Sequence, residues 1–108
     1  MMTSPSQKPT IREVAGADVS EAAAVLRLLG HPDRLRLVGL MLEETRPVGE
    51  LAEDVGLAPN AVSQHLGLME SRGIVERTRK GRRVYYRVIS KVARNLMRCL
   101  LSGQIRGR

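Results

Sequence analysis

The sequence predicts a mainly α fold that carries a single β-hairpin. Four segments with apolar residues at helical spacing follow one another up to Gly73. The apolar period then changes to an alternating one on either side of Lys80-Gly81-Arg82. The apolar stock is Leu, Val, Ala and Met, with no Trp or Phe and two Tyr, which suits packed helices better than a large sheet.

Residues 1–19 mix Pro, Ser, Thr and Gly without periodicity and read as a flexible tail. A first helix is expected from Ser20, a capping residue, with Ala22, Val25, Leu26 and Leu29 in one apolar stripe that ends at Gly30. Pro32 suits the first turn of a second helix running to about Glu44. Its Leu35, Leu37, Val38, Leu40, Met41 and Leu42 leave little polar face, as in a central, buried helix. Pro47 opens a third helix, with Val48, Leu51, Ala52 and Val55 on one side and Gly56 as its stop. Leu57 and Ala58 separate that stop from Pro59, which begins a fourth helix over 59–72 with Val62, His65, Leu66 and Met69 inward.

Two short amphipathic helices joined by a tight, Gly-containing turn make a helix-turn-helix pattern. Strands Ile74–Arg79 and Arg83–Ile89 then form a hairpin, here the wing over 74–89, whose Gly81 supplies the positive φ of a tight turn. Tyr85 and Tyr86 alternate faces, so one is expected to pack on the fourth helix while the other stays partly exposed. A last helix is expected from Lys91 to Ser102, with Val92, Leu96, Met97, Leu100 and Leu101 apolar. The order is α1-α2-α3-α4-β-β-α5, a winged helix-turn-helix over 20–102, followed by a basic tail over 103–108.

A chain of 108 residues fits one domain, and one small enough that part of its apolar surface is expected in a subunit interface. The net charge of +7 is unevenly spread. Residues 1–71 hold six basic and ten acidic side chains, whereas residues 72–108 hold twelve basic ones and only Glu76 against them. That split points to a polyanion, with nucleic acid first and an anionic membrane surface second. No apolar run approaches the roughly 18 residues of a membrane span, and the first twenty residues show no secretory signal. Cys99 alone cannot build an intrachain disulfide framework and fits a reducing cytoplasm.

The fourth helix turns Asn60, Ala61, Ser63, Gln64 and Gly67 away from its apolar stripe. An ordinary solvated helix face carries Glu and Lys; this one is small or amide-bearing. Asn60, Ser63 and Gln64 are therefore the candidates for reading base edges in the major groove, where an amide pairs bidentately with adenine. The wing tip concentrates Arg77, Arg79, Lys80, Arg82 and Arg83, with no anion among them. Edge protection requires fewer charges than that. These five are the candidates for gripping phosphates, which positions a protein without specifying sequence.

The segments Leu29–Met41 and Val48–Val88, with the apolar last helix, resemble the ArsR/SmtB family of bacterial repressors. The specific stretch is AVSQHLGLMESRGIVERTRKGRRVYYRV, which has recognition helix, turn and wing in the family's order. The resemblance implies a homodimer held by the first and last helices, here through Val25, Leu26, Leu29, Val92, Leu96 and Leu100. It also implies a transcription regulator, as a repressor, binding double-stranded DNA at an inverted-repeat operator and released by an effector. An alternative is a regulator whose winged helix mainly binds a protein co-regulator that completes the sensor.

The chain departs from the family's metal-sensing members. Those place a cysteine pair on the third helix, where Val48–Val55 has none, or His and acidic ligands on the last helix, where Lys91–Ser102 has none. No cofactor is evident and no metal ligand set is expected, although a metal effector at an unconventional site stays open. His31 is expected to cap the second helix and His65 to lie on the apolar side of the fourth, in separate motifs. Asp33 and Arg34 are expected to pair with each other. Cys99 has three readings: packed filler, an intersubunit disulfide with its symmetry mate, or an oxidisable thiol near Arg98. The methionines read as core filler. No nucleophile-base-acid arrangement or phosphate loop marks an enzyme.

Overall fold

The computed structural model describes residues 8–103. Residues 1–7 of the expected N-terminal tail and 104–108 of the basic C-terminal tail lie outside them. The elements are α1 (Gly16–Leu29), α2 (Pro32–Glu43), α3 (Val48–Val55), α4 (Pro59–Ser71), β1 (Val75–Lys80), β2 (Arg83–Val88) and α5 (Lys91–Leu101), in the expected order. A single 3-10 turn, Ile11–Glu13, precedes α1.

The first helix starts four residues earlier than expected, and Ser20 lies inside it. The backbone N–H groups of Asp18 and Val19 both donate to the Ala15 carbonyl, which makes Ala15 the N-cap without help from any side chain. Gly16 and Ala17 bring no apolar side chain to the stripe, so this first turn is invisible to periodicity. Asp18 in that turn complements the partial positive charge of the exposed N–H groups.

The core gathers Val25 and Leu29 of α1, Leu37, Val38 and Met41 of α2, Leu51 and Ala52 of α3, and Val62, Leu66 and Met69 of α4. Ile74 and Val75, Tyr86 and Val88 of β2, and Ala93 and Met97 of α5 complete it. The central position of α2 follows from its nearly all-round apolar surface; it packs on α1, α3, α5 and the wing. Gly39 faces α5, where a Cβ would make ordinary contact with the Met97 sulfur at 3.5 Å. Met41, Met69 and Met97 are all buried, as filler should be.

The two strands pair antiparallel from Val75↔Val88 to Lys80↔Arg83. This register shortens the expected three-residue turn to Gly81-Arg82. Gly81 takes φ 62°, the positive value that the first position of such a two-residue turn requires. The inner ends of both strands are buried and the tip is exposed, so the hairpin is anchored at its base and projects.

Candidate nucleic-acid interface

The helix-turn-helix geometry is built locally. Gly56 adopts φ 70° at the end of α3, a left-handed conformation open to Gly without strain. The Leu57 N–H then returns to the Ala52 carbonyl at 3.0 Å, which turns the chain sharply. Ala58 caps α4 through its carbonyl and Pro59 occupies the first turn, where a missing N–H costs nothing. Val62, Leu66 and Met69 are fully buried, which fixes the rotation of α4 about its axis. Asn60, Ser63 and Gln64 are consequently exposed, with Ala61 and Gly67 half-buried beside them. The first turn of α4 contains no acidic residue. Leu68, also exposed at 39 %, flanks this stripe.

The wing is bonded directly to the end of α4. The Ile74 N–H donates to the Met69 carbonyl at 2.9 Å, and the Ile89 N–H donates to the Ile74 carbonyl at 2.9 Å. Arg77, Arg79, Lys80, Arg82 and Arg83 are all exposed, but they are not equivalent. Arg83 has the Glu50 carboxylate of α3 at 4.0 Å, so it is partly committed. Farther down the strand, Arg87 donates to Glu76 at 2.7 Å. Lys80 places its ammonium 5.7 Å from the centre of the Tyr85 ring. Arg79 and Arg82 have no carboxylate within ion-pair distance among the described residues.

The two tyrosines divide as expected. Tyr86 is buried, and its hydroxyl is held above the usual phenol range by burial first and then by the negative charge of Glu70 on α4, with Arg77 opposing. Tyr85 is half-buried and its strand position bridges to Pro47, which ties the wing to the start of α3. Arg46 pairs with Asp54 and reaches Glu44 at 3.4 Å, pinning the connection between α2 and α3.

The apolar residues expected at a subunit interface separate into two groups. Val25 at 4 % and Leu29 at 2 % exposure are used up inside the subunit against α5 and α2, so they are not available to a partner. Leu26 at 46 % and Leu100 at 36 % are exposed, and Val92 and Leu96 are half-buried. Leu101 and Val19 add further exposed apolar surface to the same two helices. The sequence stripe did not reveal this division, because adjacent residues of one stripe can face opposite sides of a helix pair. Cys99 is half-buried on α5, beside Asn95, Arg98 and Ser102.

The two histidines, expected in separate motifs, are neighbours. Their ring centres lie 4.8 Å apart in an edge-to-face arrangement. His31 caps α2 as expected, its Nδ1 accepting the Asp33 backbone N–H at 3.2 Å. Arg34 does not pair with Asp33; its Nε–H donates to His65 Nδ1 at 3.2 Å and its Nη1–H to the Leu28 carbonyl at 3.0 Å. Asp33 instead faces Arg36 at 3.5 Å. His31, Asp33 and His65 converge within 4.8 Å, the single such group of three among the described residues. Both Nδ1 lone pairs are committed to N–H donors and a guanidinium adjoins them, so the group forms a closed hydrogen-bonded junction. Thirty-four residues of sequence separate the two rings, and no spacing rule could have joined them.

Among the described residues, no helix is long and apolar enough to cross a membrane. A helix-turn-helix domain model matches residues 29–78. The chain is 36 % identical over 89 residues to the biofilm growth-associated repressor of Xylella fastidiosa, covering 82 % of this chain and 78 % of that one. The solved structure of the repressor BigR from Xylella fastidiosa superposes with a TM-score of 0.77 at 34 % identity, covering 86 % of this chain and 95 % of that one. The homodimeric winged helix-turn-helix DNA-binding domain of a possible ArsR-family regulator from Mycobacterium bovis superposes with a TM-score of 0.71 at 25 % identity, covering 92 % of each chain. With the predicted order of elements, the recognition-helix geometry and these relatives in agreement, the chain belongs to the ArsR/SmtB family of winged helix-turn-helix transcriptional regulators, and not to an enzyme family.

Proposed function

We propose that this regulator acts as a homodimeric repressor that binds an inverted-repeat operator, reading bases with α4 and holding phosphates with the wing. The observation that carries this reading is the pairing of an exposed, uncharged α4 face with an adjoining cationic hairpin. Asn60, Ser63 and Gln64 occupy the N-terminal half of α4, the half that a recognition helix presents to base edges. Asn and Gln offer the donor-acceptor pair that matches adenine, and Ser63 accepts or donates as the base requires. Arg79, Lys80 and Arg82 at the wing tip serve as phosphate or minor-groove contacts, with Arg77 nearer the base of the strand.

The exposed apolar surface of α1 and α5, centred on Leu26 and Leu100, supports pairing with a second copy. It lies on α1 and α5, not on α4 or the wing, leaving both α4 faces free for successive half-sites. Two-fold symmetry then predicts half-sites about one helical turn apart. Release by an effector completes the reading. Cys99, half-buried on α5, is a candidate for that role through an intersubunit disulfide or thiol oxidation.

A fluorescence-anisotropy titration at physiological salt tests the proposal, comparing a duplex from upstream of the chain's own gene with a scrambled duplex of equal length. Selective binding with two subunits per duplex is the expected result. Equal affinity for both duplexes would refute sequence reading and leave only charge-driven binding.

A further inference from the structure

The junction of His31, Arg34 and His65 lies away from the exposed Asn60, Ser63 and Gln64 face, yet it grips the recognition helix. His65 follows Gln64 directly, and its side chain is held by Arg34 of α2, which also bonds the last turn of α1 through the Leu28 carbonyl. One guanidinium thus ties the base-reading helix to the helix whose exposed Leu26 is offered to a partner. Its geometry demands neutral imidazoles. A nitrogen that accepts an N–H has no proton, so both rings carry theirs on Nε2. A proton added to His65 Nδ1 would set N–H against N–H and a cation against the Arg34 cation.

We propose that His31, Arg34 and His65 form a proton-operated latch on the recognition helix, closed when the imidazoles are neutral and opened when His65 takes up a proton. The inference rests on the DNA-reading role given above to α4. In the opening step a proton from water binds His65 Nδ1, and the Arg34 Nε–H loses its acceptor. His65 then retains no bond to α2, and α4 is free to shift against the α1–α2 corner.

The surrounding charges favour the neutral ring. Burial comes first in holding His65 below the usual imidazole range, followed by Arg34 and then His31. Asp33 is the one nearby anion that pulls the other way, and Arg36 at 3.5 Å partly neutralises it. From α1 the junction receives only the Leu28 carbonyl, which already serves Arg34. A metal ion suits the junction poorly, because it would have to displace an N–H donor from an imidazole nitrogen or force a change of tautomer on both rings.

The chain has two histidines, so each gives a separate nitrogen-15 signal. In the full chain at pH 7.5 both are expected as Nε2–H tautomers, and acidification is expected to remove the Arg34 Nε–H contact to His65 as its nitrogen-15 signals report protonation, at a pH below the usual imidazole range. The functional readout is the ratio of affinities for the upstream duplex and a scrambled one, at fixed ionic strength. A ratio cancels the general gain in attraction that any added positive charge brings. It is expected to fall about tenfold between pH 7.5 and the acidic pH at which the nitrogen-15 signals report His65 protonated, the loss of one charge-assisted hydrogen bond. His65→Gln, which retains an acceptor for Arg34 and cannot titrate, is expected to keep its ratio over this range.

An equal fall in wild type and His65→Gln would overturn the latch, as would a wild-type ratio that stays constant while the nitrogen-15 signals report His65 protonated. An Nδ1–H tautomer at pH 7.5, or stoichiometric Zn²⁺ binding that moves both histidine signals there, would overturn it too. A wild-type ratio of one at pH 7.5 would refute the DNA-reading role instead, and the tautomer measurement would still decide the junction. If His65→Gln does not fold, the wild-type spectra and ratios decide alone.

Discussion

Replacing Arg82 by Ala should weaken the salt dependence of DNA binding, whereas replacing Arg87 should not. The difference comes from the partners each guanidinium has. Arg82 sits in the two-residue turn at the exposed wing tip with no carboxylate near it among the described residues, while Arg87 already donates to Glu76 at 2.7 Å. A phosphate contact contributes about −0.9 to the slope of log K against log salt, through counterion release. With one Arg82 contact from each subunit of a dimer, Arg82→Ala should make the slope shallower by about 1.8. Between about 50 and 200 mM salt, wild type should therefore lose about twelvefold more affinity than the variant. Anisotropy titrations at four or five salt concentrations give both slopes directly. The loss should be the same on upstream and scrambled duplexes, because a phosphate grip carries no sequence information. An unchanged slope for Arg82→Ala, or an equal change for Arg87→Ala, would refute the assignment of the wing tip as the grip.

Gln64→Ala should cost about 1–3 kcal/mol on the upstream duplex and relax preference at particular base pairs, a pattern read from affinities across single-base operator variants. The double variant Leu26→Asp, Leu100→Asp should shift the chain from dimer to monomer in sedimentation equilibrium and keep its helical circular dichroism, since both side chains are exposed in the subunit. Leu66→Ala, at a fully buried position on α4, should destabilise the fold by about 2–5 kcal/mol and lower Tm by roughly 4–8 °C for each of them. His65 is held below its ordinary range in the folded chain, so its contribution to stability is complete above about pH 6.5 and is lost as pH falls through the lower folded value. Urea midpoints at pH 7.5 and pH 5.5 should accordingly differ more for wild type than for His65→Gln.

Much of the helix-turn-helix and the wing was legible from local chemistry. Gly56, Pro59 and the stripe Val62, Leu66, Met69 are short-range signals, and they fix where α4 begins and which side of it is exposed. Gly81 and the alternation of β2 did the same for the wing. The start of α1 escaped because Ala15–Ala17 carry no apolar side chain for periodicity to register, although their backbone groups bond as a helix.

Local signals along the chain set the element order, the uncharged face of α4 and the cationic tip of the hairpin. These follow from spacing and side-chain type within a few residues, where helix period, turn chemistry and charge act directly. Tertiary packing settled which residues of the apolar stripes are consumed inside the subunit, Val25 and Leu29, and which stay exposed, Leu26 and Leu100. It alone distinguished Arg82, with no carboxylate near it among the described residues, from Arg83 beside Glu50. It also brought the His31 ring against His65 and the Arg34 guanidinium onto His65, joining residues that the chain keeps far apart. Burial, ion pairing and ring contact are properties of surfaces that meet, and sequence spacing carries no record of those meetings.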